Sequence, residues 1–117
     1  MRIKLLRLAD RGVPNKERVE LSVDLPATLS YYVALKTSSA GQDLVSSGNV
    51  IAYWFPTIDV KPGDHVFLYT GPGPNTVDQD DTGRSIHHLH WGQPQTIFNS
   101  ATDCAVVVEA AEWMTLW

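Results

Sequence analysis

The sequence predicts an all-β, antiparallel domain, and three observations carry that prediction. Apolar and polar residues alternate in short runs, Pro and Gly turn signals separate the runs, and no window of useful length has a helical period. The first run is Arg2 to Leu8, where the apolar positions change parity from Ile3 and Leu5 to Leu6 and Leu8. One inserted residue, a β-bulge, would keep both pairs facing the core. Val19, Leu21, Val23 and Leu25 then alternate with Glu20, Ser22 and Asp24, and Pro26 stops the strand. A third run places Leu29, Tyr31, Val33 and Leu35 on one face and Ser30, Tyr32, Ala34 and Lys36 on the other.

Thr37 to Asn49 is rich in small turn-forming residues and reads as a loop. Asn49 to Phe55, NVIAYWF, is β-branched and aromatic and ends before Pro56, so it reads as a strand with Trp54 in the core. Lys61-Pro62-Gly63-Asp64 has Pro at the second and Gly at the third turn position, as a type II turn requires, and feeds the strand His65 to Thr70. Gly71 to Gly83 has too many breakers and acids for a strand and reads as a second long loop. Ser85 to Trp91 and Cys104 to Ala110 complete about seven strands, the count of a β-sandwich or barrel.

A chain of 117 residues fits one domain, spanning 1–117, that can bury roughly two-thirds of its unfolded surface. Apolar residues at 44% and charged ones at 19% exclude whole-chain disorder. The net charge is −4 and the cations are scattered apart from Arg2, Lys4 and Arg7. Polyanion binding draws its affinity from clustered cations, so the composition argues against a nucleic-acid partner, leaving only that thin basic edge. The same three charges interrupt the N-terminus, which lacks the apolar stretch of a secretory signal, and no run approaches the roughly 20 apolar residues of a membrane span. Cys104, the one cysteine, can form no internal disulfide. These features predict a cytoplasmic chain without membrane insertion.

From Val19 to Ala110 the order of features resembles the lamin tail domain and its small bacterial relatives. The residues that carry the likeness are YWFP at Tyr53 to Pro56, VKPGDHVFLYTGPG at Val60 to Gly73, HLHWG at His88 to Gly92, and TIFNSATDCAVVVE at Thr96 to Glu109. Ser30-Tyr31-Tyr32 stands where the family usually has a Gly-Trp pair, and there is no heptad rod. The resemblance implies an immunoglobulin-like β-sandwich that acts as an interaction module, and it brings no catalytic residues.

Three of the four histidines lie in His87 to His90. Strand alternation puts His87 with Leu89 and Trp91, and His88 and His90 together on the opposite face with Ile86. Two imidazoles at i and i+2 can grip a transition metal, but a catalytic zinc or non-haem iron site needs a third protein ligand. The cupin pattern follows such a pair with a glutamate and a later Pro-x-Gly strand bearing histidine. Here Gln93 and Gln95 occupy the glutamate region and Pro62-Gly63-Asp64-His65 precedes the pair. A small metal-dependent enzyme using His88 and His90 is therefore the alternative reading. Asp78 to Gly83 imitates the opening of a calcium loop, but Leu89 falls where its bidentate glutamate is wanted. Cys104 begins an apolar run and reads as a buried hydrophobe on the side of Val106 and Val108.

Trp113 and Trp117 are read as a tail packed across the open end of the sandwich, with an exposed anchor as the other reading. The functional expectation is a non-catalytic module binding a protein partner, with no assigned cofactor, metal or catalytic residue. Its candidate contact residues are Asp78, Asp80, Asp81, His88 and His90, because the acidic loop leads directly into the imidazole-bearing strand.

Overall fold

The computed structural model describes residues 1–41, 44–45 and 49–117. They form eleven strands: β1 (Ile3–Ala9), β2 (Arg18–Val23), β3 (Ala27–Thr28), β4 (Tyr32–Gly41), β5 (Leu44–Val45), β6 (Ile51–Trp54), β7 (Asp59–Val60), β8 (His65–Tyr69), β9 (Thr76–Gln79), β10 (Ser85–His90) and β11 (Asp103–Glu109). Each of the seven expected strands is present, and β3, β5, β7 and β9 are additional short ones. One sheet has the order β1-β2-β8-β10-β9; in a second, β4 is flanked by β11 and by β6 and also pairs β5, and β3 pairs β7 separately. No helix among the described residues is long and apolar enough to cross a membrane.

A single core joins the two main sheets. Ile3, Val19, Leu21, Val66, Leu68 and Leu89 from the first meet Tyr32, Ala34 and, just beyond β6, Phe55 from the second. Each large apolar side chain so buried contributes about 1.5–3 kcal/mol. Trp91 links the layers, because its ring is in the core and its Nε1 donates to the Ala52 carbonyl at 3.2 Å.

Several sequence expectations meet the structure closely. The β1–β2 register shifts between Leu5 and Arg7, so the bulge falls where the parity changes. It leaves Leu5 and Leu6 exposed at the sheet edge rather than in the core. Asp64 N donates to the Lys61 carbonyl and Gly63 has φ +91°, the turn that Lys61 to Asp64 encodes.

Others are corrected. A 3₁₀ turn over Leu29–Tyr31 resets the alternation, so Tyr32 and Ala34 point inward while Tyr31 is exposed. Trp54 is exposed too, since Ile51, Tyr53 and Phe55 take the core side of its run. In β11 it is Ala105 and Val107 that pack on the core, leaving Cys104 half-buried on the other side. The loop expected over Thr37 to Asn49 is strand as far as Gly41 and again at Leu44–Val45; residues 42–43 and 46–48 lie outside the described residues.

The expected all-antiparallel arrangement fails at one pair, since β8 and β10 are parallel. Gly71 to Gly83 is not one loop. It carries the chain past the end of β10, returns as β9, and turns back so that β10 lies between β8 and β9. Gly73 makes the passage feasible: a Cβ there would fall 2.7 Å from the His90 ring. Asn75 Oδ1 accepts the His90 backbone N–H at 3.1 Å on the same crossing.

Two buried carboxylates hold the ends of this parallel pair. At the start, Asp64 Oδ1 accepts Ser85 N (2.9 Å) and Oδ2 accepts Lys61 N (3.0 Å). Burial alone would raise the Asp64 pKa, but these N–H groups and the Lys61 ammonium outweigh it and hold it below the ordinary carboxylate value. At the far end, Glu17 Oε1 accepts Thr70 Oγ1 and Ile97 N, each at 2.8 Å, and Oε2 accepts Gly12 N (2.7 Å) and Phe98 N (3.2 Å).

Glu17→Ala should therefore destabilise the fold by at least about 3 kcal/mol, since each buried donor left without a partner costs roughly 1–3 kcal/mol. Glu17→Gln, which keeps one acceptor oxygen, should cost less. Urea unfolding of the three proteins measures both, and a loss under about 1 kcal/mol for the alanine variant would show that water satisfies these donors.

Candidate functional site

Alternation in β2, β8 and β10 turns one set of side chains away from the core, and the strand registers set them in rows. Glu20, Phe67 and His88 stand side by side across the sheet, and Arg18, Tyr69 and His90 form the next row. Tyr69 stacks on both imidazoles, with centroids 5.2 Å from His90 at 16° and 5.9 Å from His88 at 26°. Its hydroxyl lies 3.3 Å from His88 Nδ1, and Phe67 meets His88 edge-on at 5.7 Å. The Arg18 guanidinium sits 5.6 Å and 5.8 Å from the Phe67 and Tyr69 centroids, within cation–π range.

Charged groups close the stripe at each end. Glu20 accepts Arg7 Nε and Arg18 Nε, both at 2.8 Å, and Arg18 also reaches Asp10 at 2.9 Å. Burial opposes ionisation of both Glu20 and Arg18, yet their hydrogen bonds win, so the Glu20 pKa is lowered and that of Arg18 raised. At the other end Asp78 Oδ2, from β9, lies 3.0 Å from His88 Nε2. Burial, then the neighbouring His88, lower the His90 pKa, and the Pro74 carbonyl only partly offsets them.

The five candidate contact residues thus divide. Asp78, His88 and His90 are brought together around Tyr69. Asp80 is occupied in the β9–β10 turn, where Oδ1 accepts Thr82 N (2.9 Å), Thr82 Oγ1 (2.7 Å) and Arg84 N (3.0 Å). Asp81 lies exposed in that turn. The calcium-like pattern is therefore a hairpin, with Asp78 directed to His88 and Asp80 to its own backbone. Phe67, Tyr69 and Arg18 were missed in the sequence, although Phe67 and Tyr69 share the parity of His65 in HVFLYT and could have been read as outward-facing.

For metal chemistry His88 and His90 find no third ligand: no group of three His, Cys, Asp or Glu side chains converges among the described residues. The thin basic edge is largely neutralised, with Lys4 3.0 Å from Asp24 and Arg7 on Glu20, while Arg2 donates to the Pro26 carbonyl. What the face offers is a half-buried set of planar rings with imidazole hydrogen-bonding groups and an acidic rim.

His90 should make stability fall on mild acidification. Below its ordinary pKa of 6.5 the unfolded chain takes up a proton that folded His90 still refuses. Stability should drop as pH falls through that value, until the lowered folded pKa is reached. His90→Phe, which keeps a stacking ring, should flatten the slope of melting temperature between about pH 7 and about pH 5; an unchanged slope would place the titration elsewhere. Comparison of the chain with protein-family models, curated proteins and solved structures finds no match.

Proposed function

We propose that this chain is a non-catalytic binding module, an immunoglobulin-like β-sandwich similar to the lamin tail domain, that engages a protein partner in the cytoplasm. The fold reading is supported by two sheets sharing one core and by the positions of the family-like motifs. YWFP ends β6, VKPGDHVFLYTGPG turns into β8, and HLHWG covers the end of β10 with Trp91 buried. The observation that carries the function is the outward stripe of Phe67, Tyr69, His88 and His90, joined through Asp78 to the edge strand β9. All four β9 residues are exposed, and an edge strand offers unpaired backbone groups to a second chain.

The partner on this reading is a protein segment with basic character. Asp78 and Asp81 supply the attraction and the rings supply contact area.

Capture from the native host, with the wild-type chain and an Asp78→Asn/Asp81→Asn/His88→Ala variant as parallel baits, tests the reading. The wild type should retain a stoichiometric partner that the variant loses by at least about tenfold in affinity, at nearly unchanged melting temperature. A partner released only by Trp113→Ala or Trp117→Ala would move the surface to the C-terminal segment. A stoichiometric metal lost on His88→Ala or His90→Ala would replace this reading with the enzyme of cupin type.

A further inference from the structure

Away from the histidine face, the two main sheets approach each other along their open edges. Among the described residues β1 ends the first sheet and β11 ends the second, so each has one edge without a strand partner. Between them lies an open cleft of about 260 Å³ lined by Leu5, Leu6, Leu8, Val19, Cys104 and Ala105, with Arg7, Arg11 and Asp103 also lining it; the Asp103 carboxylate is paired with Lys36 at 3.4 Å. Leu6, the bulged residue, is 52% exposed, so the cleft has apolar surface uncovered by its own chain.

The segment after β11 has the opposite deficiency. Trp113 packs edge-on against Tyr31 (5.2 Å) and Trp54 (5.4 Å), but Met114, Leu116 and Trp117 are each at least 95% exposed. Trp54 belongs to β6, on the far side of β4 from β11, so this contact leads the segment away from the β1–β11 cleft of its own chain.

Charge completes the match. Arg11 Nη2 donates to the Ser100 and Asp103 carbonyls, and among the described residues Arg11 forms no ion pair with a carboxylate. Glu112, at the root of the exposed segment, is itself exposed.

We propose that residues 112–117 of one copy of this chain dock in the β1–β11 cleft of a second copy. Met114, Leu116 and Trp117 meet the leucine lining, Glu112 faces Arg11, and the extended backbone bonds to an open edge. Reciprocal exchange of the two segments closes a dimer with two-fold symmetry.

Sedimentation of the full chain over a roughly hundredfold concentration range tests this. The mass should rise from 13.0 kDa toward twice that value, and Cys104, in the cleft, should react more slowly with a thiol reagent as association proceeds. A Met114→Ser/Leu116→Ser/Trp117→Ser variant and a Leu6→Lys variant should each remain monomeric with unchanged melting temperature. Mixing the two should restore association, because one keeps an intact cleft and the other an intact segment. Should Leu6→Lys lower the melting temperature, Leu6→Ser replaces it. Wild-type protein that stays monomeric throughout, association that survives either variant, or mixed variants that fail to associate would each overturn the proposal.

Discussion

The carboxylate of Glu17 is where three separate stretches of chain are tied together. It lies at the end of the β1–β2 connection and receives donors from Gly12, from Thr70 just after β8, and from Ile97 and Phe98 beyond β10. The side chain is only 1% exposed, and four protein donors take the place of water around its oxygens. The arrangement matters because β8 and β10 are parallel. A tight hairpin turn aligns an antiparallel pair, whereas a parallel pair needs its ends fixed by contacts from elsewhere. Asp64 does this at one end, and at the other Glu17 ties Thr70 to Ile97 and Phe98 in the segment that follows β10.

The histidine face depends on that alignment. In the observed register His88 lies beside Phe67 and His90 beside Tyr69, with one ring able to stack on two imidazoles. A slip of one residue would turn His88 and His90 inward and Leu89 outward, losing core and face together. The crossing at Gly73 and Asn75 covers His90 and keeps it desolvated. The carboxylates therefore position the histidine face without belonging to it.

The sheet edges are handled unequally. At β9 the chain leaves an exposed four-residue strand, with Asp78 on its outward face and Asp80 securing its turn. At β1 and β11 apolar side chains remain uncovered beside an arginine rim. Charge is an ordinary protection for an edge, and uncovered leucines leave it open to a second chain.

The sequence by itself determined seven of the strands, because alternation at period two reports directly which side chains can be buried together. It also determined the Lys61 to Asp64 turn, the bulge in β1, and the opposite facing of His87 from His88 and His90. Those features are local, and each depends on only a few adjacent residues. Trp54 and Tyr31 were misread because a short 3₁₀ turn and the inward claims of Tyr53 and Phe55 shift the parity of their neighbours. β9 was hidden because exposed residues such as TVDQ have no apolar alternation, and an edge strand is held by pairing to β10. Only the tertiary structure decided that β8 and β10 are parallel, that Glu17 and Asp64 clamp them, and that Tyr69 and Arg18 join the histidine face. These are long-range contacts, formed when distant segments compete for the same core, and nothing in local periodicity records which pairing wins.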